Sequence, residues 1–191
     1  MIKIPIKFLW ILAVLSFYAC GLNKSASIVI DNKIGAKLPA NAKVSIYMTP
    51  SELNKRYECV FCKGLVSQPI ISLDDGKRMQ HAAIKVFSSL FKEVSPNQES
   101  QKLHLVARIN GTTNYNRFWG AYEADATVLL YSGNGTLIGT FNAKATETSN
   151  PSDTVGLENA YIKAFEKISS QMLENEILSK YFINGFTDEL Y

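Results

Sequence analysis

The sequence predicts an α+β domain: an antiparallel or mixed sheet of about four strands with two long helices packed on one face. Three observations lead there. Apolar and polar residues alternate over a long run from Arg117 to Tyr131, which meets an Asn-Gly turn at residues 134–135. Apolar residues at helical spacing occur twice, between Met79 and Val94 and between Leu157 and Met172. The elements follow the order strand, helix, three strands, helix, which groups the strands instead of alternating them with helices.

The first element is not part of the fold. Lys3 and Lys7 precede an uncharged run, Phe8 to Tyr18, followed by Ala19 and Cys20. The run is shorter than the ~20 residues a membrane-spanning helix needs. It fits the apolar region of a secretory signal peptide, with the small residue Ala19 before the cut. Residues 1–19 are therefore expected to be removed, residues 20–26 to form a tether, and residues 27–191 to form a single domain. Without Lys3 and Lys7, 18 basic residues face 17 acidic ones and the balance falls from +3 to +1. That near-neutral balance gives no electrostatic case for nucleic acid as a partner.

Ala26 to Asp31 and Lys43 to Thr49 read as strands, the second with Val44, Ile46 and Met48 on one face. Residues 50–68 look irregular, and Pro69 to Leu73 forms a short strand. A helix follows, capped by Asp74 or Asp75. Met79, Ala83, Val86, Phe87, Leu90 and Val94 lie on its buried side, and Ser95-Pro96-Asn97 ends it. Leu103 to Ile109 is a strand, and Gly111 to Asn114 reads as a turn or loop.

In the alternating run, Phe118, Tyr122, Ala124, Ala126, Val128 and Leu130 share one face. Trp119, Glu123, Asp125, Thr127, Leu129 and Tyr131 share the other. Asn-Gly is the strongest short hairpin signal because both residues tolerate positive φ. Thr136 to Thr146 returns as the partner strand, with Leu137, Phe141, Ala143 and Ala145 on the inner face. Asp153 caps a last helix from about Val155 to Tyr181. The apolar tail from Phe182 docks on the domain or on a partner.

Four groups of residues bear on chemistry. Cys59-Val60-Phe61-Cys62 reads first as a structural disulfide in an oxidising compartment. A redox dithiol, a zinc half-site, a haem attachment lacking its His (Lys63 stands there) and free thiols are the alternatives. His81 falls on the polar side of the first helix and reads as solvated, and His104 reads as a sheet-surface residue. Trp119 and Tyr131 form a candidate contact surface, since neighbouring exposed aromatics suit a protein or an acyl chain. Hydrolase, metalloprotease and phosphate-cradling motifs are missing from the sequence, so no catalytic residues, cofactor or metal are assigned.

The segment Phe17-Tyr18-Ala19-Cys20 resembles the bacterial lipobox. The resemblance implies cleavage before Cys20 and lipidation of its thiol and new amine. Each buried methylene then adds roughly 0.8 kcal/mol of membrane affinity. Gly21, where inner-membrane retention signals place Asp, implies the outer membrane facing the periplasm. Residues 102–182 are similar in pattern to the YajG-like family of small lipoproteins. More loosely, they resemble the LPS-assembly lipoprotein family (LptE) and auxiliary lipoproteins of envelope ABC transporters. That pattern is a strand ending in a polar break, a long hairpin with a Gly/Asn tip, an acid- and Ser-containing loop and an amphipathic last helix. The resemblance implies a membrane-anchored, non-enzymatic protein that works in envelope assembly, transport or maintenance with an envelope protein partner. A carrier or sensor of a hydrophobic ligand and a redox protein using Cys59 and Cys62 are the rival expectations.

Overall fold

The computed structural model describes residues 38–59, 71–97, 103–184 and residue 186. All belong to one compact unit, Asn32–Tyr191. The strand expected at Ala26 to Asp31 lies outside the described residues, as do Cys20 and Cys62.

The chain runs β1 (Ala40–Tyr47), α1 (Pro50–Leu53), β2 (Tyr57–Cys59), β3 (Ile71–Leu73), α2 (Asp75–Phe87), β4 (Phe91–Pro96) and β5 (Leu105–Asn116). It continues through β6 (Ala121–Ser132), β7 (Leu137–Thr148), α3 (Thr154–Glu174) and α4 (Glu176–Asn184). Five strands form one mixed sheet in the order β4-β1-β5-β6-β7, and β2 and β3 form a separate antiparallel ribbon. β1 runs parallel to both β4 and β5. The long strands β5, β6 and β7 are antiparallel neighbours. The fold is thus α+β, with five strands in the main sheet instead of four.

Inner-face alternation is followed closely. Val44, Ile46, Ala124, Ala126, Val128 and Leu130 are buried, and α3 packs Leu157, Tyr161, Ala164, Phe165 and Ile168 on β6 and β7. Alanines on β6 and β7 shorten the reach between helix and sheet. α2 adds Met79, Ala83, Val86 and Phe87, and the Phe87 and Phe165 rings meet edge-on at 5.8 Å. These side chains form the core between helices and sheet.

Several expectations are corrected. The first helix ends at Phe87, and Phe91–Pro96 is an edge strand beside β1. Ser88 and Ser89 turn their hydroxyls back onto the Ile84 and Val86 carbonyls, at 2.7 and 2.6 Å. The apolar residues Leu90 and Val94 continue the helical spacing by coincidence. Their backbone groups gain a partner strand, which periodicity cannot reveal.

Gly111 to Asn114 is not a turn but the middle of β5, paired with Ala126 to Glu123. Gly111 serves close approach: a Cβ there would stand 2.7 Å from the Asp125 carbonyl and 2.8 Å from Met79 Sδ. β6 starts at Ala121, so Phe118 lies in the β5–β6 turn and not on the buried face. Leu137 is half exposed because the register slips between Leu130 and Tyr131. One inserted residue turns it to the outer face.

Residues 50–59 are more ordered than expected. Thr49 and Glu52 form a reciprocal capping box around α1, with Pro50 at the first helical position. The last helix breaks at Asn175, whose side chain accepts from the Ile177 and Leu178 N–H groups (both 3.1 Å) and so caps α4. The described part of the tail docks on the domain: Phe182 and Phe186 are buried and pack on Phe91 at 5.5 and 6.0 Å.

Candidate functional site

Among the described residues, the most exposed large apolar side chains stand in the β5–β6 turn, residues 117–120. Phe118 is 96% exposed and Trp119 is 78% exposed. The turn that carries them is tightly held. The Asn116 carbonyl oxygen Oδ1 accepts from the N–H groups of Phe118 (3.1 Å) and Trp119 (3.4 Å), and its Nδ2 donates to Glu123 Oε1 at 2.8 Å. Gly120 closes the turn at φ +56°, a conformation that penalises any Cβ. Its carbonyl accepts from Ser149 N–H at 2.9 Å, which fastens the turn to the β7–α3 loop.

Beneath the turn three tyrosines form a base. Tyr115 meets Tyr122 edge-on at 5.0 Å, and Tyr57 meets Tyr122 at 6.0 Å. Tyr115 OH donates to the Ser149 carbonyl, Tyr122 OH donates to the Pro151 carbonyl, and Tyr57 OH accepts from Tyr115 N–H. Burial raises the phenols of Tyr57 and Tyr122 above the ordinary range, so both stay neutral, Tyr57 as an acceptor and Tyr122 as a donor. On the adjoining loop Asp153 caps α3, accepting from Val155 N–H at 2.9 Å and from Ser149 Oγ at 2.6 Å. The Ser149 hydroxyl chiefly holds its carboxyl below the usual range. Val155, exposed, joins the aromatics at the same end of the molecule.

Trp119 and Tyr131, expected on one face, are not brought together. Tyr131 lies near the other end of β6, opposite Val106 and Leu137, and is half-buried. About eleven residues of strand, roughly 35 Å, separate it from the turn. Cys59 ends β2 and is buried, while Cys62 lies outside the described residues.

His81 is not simply solvated. Its Nδ1 is 2.7 Å from Glu158 Oε1, and Arg78 Nη1 donates to Glu158 Oε2 at 3.1 Å. Glu158 sits within the buried stripe of α3, an acid among apolar residues that signals a bridge to α2. His104 is buried just before β5, not on the sheet surface. Its Nδ1 accepts from Lys43 N–H at 3.0 Å, and Phe186 packs edge-on against its ring.

Sequence reasoning also missed a buried polar cluster. Asp75 is 1% exposed at the first residue of α2. Its Oδ1 lies 2.8 Å from Thr113 Oγ1 and 2.9 Å from Tyr161 OH, and those two hydroxyls are 2.7 Å apart. Two hydroxyl protons thus serve three oxygen contacts. Lys55 Nζ stands 3.6 Å from Asp75 Oδ2 and donates to the Gly111 carbonyl at 2.7 Å. Burial raises the Tyr161 phenol far above its ordinary value, with the Asp75 charge adding to the effect. The arrangement resembles an acid–base pair, but Asp75 has no exposed atom to offer a substrate. It fastens α2 to β5 and α3. The side-chain cap expected at Asp74 or Asp75 is not made: Asp74 pairs with Arg56 instead, and the Lys55 carbonyl accepts from Gly76 N–H at 3.0 Å.

On the outer face of the sheet a shallow depression of about 350 Å³ is lined by Thr112, Asn114, Glu123, Asp125, Lys144 and Thr146. Lys144 pairs with Asp125 at 2.8 Å, and Glu123 accepts from Asn116 Nδ2 at 2.8 Å, so both carboxylates are already bonded within the protein. Among the described residues no cluster of His, Cys, Asp and Glu could hold a metal, and no helix is long and apolar enough to cross a membrane.

No protein-family model matches the chain, and no curated protein matches it. Solved structures similar to it include the PelC dodecamer from Paraburkholderia phytofirmans, at 16% identity over 70% of this chain and 92% of that one, with a TM-score of 0.43. A PelC variant from the same organism gives 16%, 70%, 93% and 0.44. The hypothetical protein CT253 from Chlamydia trachomatis aligns at 10% identity over 76% of this chain and all of that one, with a TM-score of 0.42. At these scores the likeness carries no argument about what the chain does.

Proposed function

We propose that this chain is a membrane-anchored bacterial lipoprotein with a non-catalytic role in envelope assembly, transport or maintenance, exercised through protein or lipid contacts. The observation that carries it is the segment Phe17-Tyr18-Ala19-Cys20 behind a short uncharged run and two lysines. A multiply acylated Cys20 holds the protein to the bilayer almost permanently. Gly21 directs it to the outer membrane, facing the periplasm. The β5–β6 turn supports a contact role, because it offers two aromatic rings to solvent on a rigid base. In that compartment Cys59 and Cys62 pair as a structural disulfide.

Mass spectrometry of the mature N-terminus tests the proposal. An N-terminal Cys20 carrying acyl chains is the expected result. A peptide beginning at Gly21, or at Cys20 without acyl chains, would overturn it.

A further inference from the structure

Phe118 and Trp119 present about 400 Å² of aromatic surface at a convex tip. A stable protein interface needs about 800 Å² from each partner. Around the tip the exposed neighbours are polar: Asn114, Asn150 and Ser152 are small, and Arg117, in the turn itself, is a cation that suits an anionic headgroup. Val155 is the one other large exposed apolar residue described on this loop pair. Such a tip is too small for a broad protein interface, yet it suits a bilayer, which needs no complementary shape. Trp in particular favours the boundary between headgroups and acyl chains.

The nearby acids are held by hydrogen bonds within the protein. Glu123 accepts from Asn116, and Asp153 accepts from Ser149 and from Val155 N–H, so both carboxylates are engaged within the protein. The turn is also ordered in advance by Asn116 and Gly120, so docking it costs little conformational entropy. The chain allows the reach. β1 is parallel to β5, with Tyr47 beside Arg108. The tip therefore stands about 55 Å along the sheet from the level of Ala40. The residues from Cys20 to Ala40 extend to at most about 70 Å.

We infer that Phe118 and Trp119 insert into the headgroup–acyl boundary of a lipid bilayer, a second membrane contact separate from the N-terminal anchor. This rests on the lipoprotein reading above only in that the anchor would keep a bilayer within reach.

The chain contains two tryptophans, Trp10 and Trp119. In the full chain carrying Trp10→Phe, Trp119 is the sole tryptophan whether or not the N-terminus is processed. This protein, recovered from envelopes, is reconstituted into phosphatidylethanolamine/phosphatidylglycerol vesicles with brominated acyl chains. Trp119 emission should shift to shorter wavelength, be quenched by the bromines and be shielded from aqueous acrylamide. Adding Phe118→Ser, at a position the fold does not bury, should lower the ratio of inserted to free tip by about tenfold. Emission that is open to acrylamide and untouched by bromine would overturn the inference. Shielding in native envelopes but not in vesicles would overturn it in favour of a protein partner. The mass of the N-terminal peptide from the same sample separates the two claims. Acylated Cys20 with an unquenched Trp119 removes the tip alone, and a quenched Trp119 without acylation removes the anchor alone.

Discussion

Replacing Lys55 with Met strands a carboxylate. Asp75 is 1% exposed, and the positive charge facing it is Lys55 Nζ at 3.6 Å. Met keeps the length of the Lys stem and removes both the charge and the donor to the Gly111 carbonyl. Thr113 and Tyr161 continue to donate to Asp75, but neither neutralises it. Breaking a buried pair from one side typically costs 3–5 kcal/mol. Lys55 is 37% exposed, so water replaces part of what it supplied, and the expected loss is about 2–3 kcal/mol. For a domain of this size that is a fall in Tm of roughly 5–10 °C. Asp75→Asn added to Lys55→Met removes the stranded charge and keeps an acceptor for the two hydroxyls. The double variant should therefore be more stable than Lys55→Met alone by about 1–2 kcal/mol. Urea denaturation followed by circular dichroism measures all three variants. A loss under about 0.5 kcal/mol for Lys55→Met, or a further loss on adding Asp75→Asn, would refute the ion-pair account.

Three other outcomes are expected. Gly111→Ala should cost about 1–3 kcal/mol in urea melts, because its Cβ meets the Asp125 carbonyl, a backbone atom that cannot swing aside; an unchanged midpoint would mean that the glycine is not there for close approach. Asp153→Ala should cost about 1 kcal/mol by uncapping α3. Since the folded carboxyl titrates below its ordinary value, the stability it provides is present above about pH 4 and lost as the pH falls through the folded value, so the variant should show a shallower acid slope. The phenols of Tyr57, Tyr122 and Tyr161 are raised by burial, so their stabilisation is complete below the unfolded value near 10 and is lost as pH rises beyond it. Phenolate absorbance should show the fully buried Tyr122 and Tyr161 titrating only as the fold opens, and early, reversible ionisation of these two in the folded protein would contradict the burial.

Much of the architecture was legible. The alternation in β1 and β6 carried its own face assignment, because a strand buried on one side repeats every two residues. The stripe on α3 and the Asp153 cap were equally local. The failures share a cause. Phe91–Pro96 pairs with β1 across more than forty residues of chain, and no local pattern announces an edge strand. Gly111 and Gly120 look alike in the sequence, yet one lies under Met79 and the other turns the chain at positive φ. The Thr49–Glu52 capping box and the Asn175 cap are local side-chain devices, but hydrophobic periodicity, which follows apolar residues alone, does not register them.

The candidate site divides in the same way. Trp119 was singled out for its aromatic character, but its setting depended on where β5 ends. That point is fixed by pairing as far as Asn116–Ala121, and by the Asn116 side chain holding the turn. The sequence by itself determined the inner face of β6 from Tyr122 to Leu130, the buried stripe of α3 and the expectation of an anchor at Cys20, all set by neighbours a few residues apart. Only the tertiary structure decided that Phe118 and Trp119 stand together at a tip, that Tyr131 does not join them, and that Asp75 is buried between three elements. Those outcomes depend on which backbone groups and charges meet across distant segments, and that competition is settled when the chain packs.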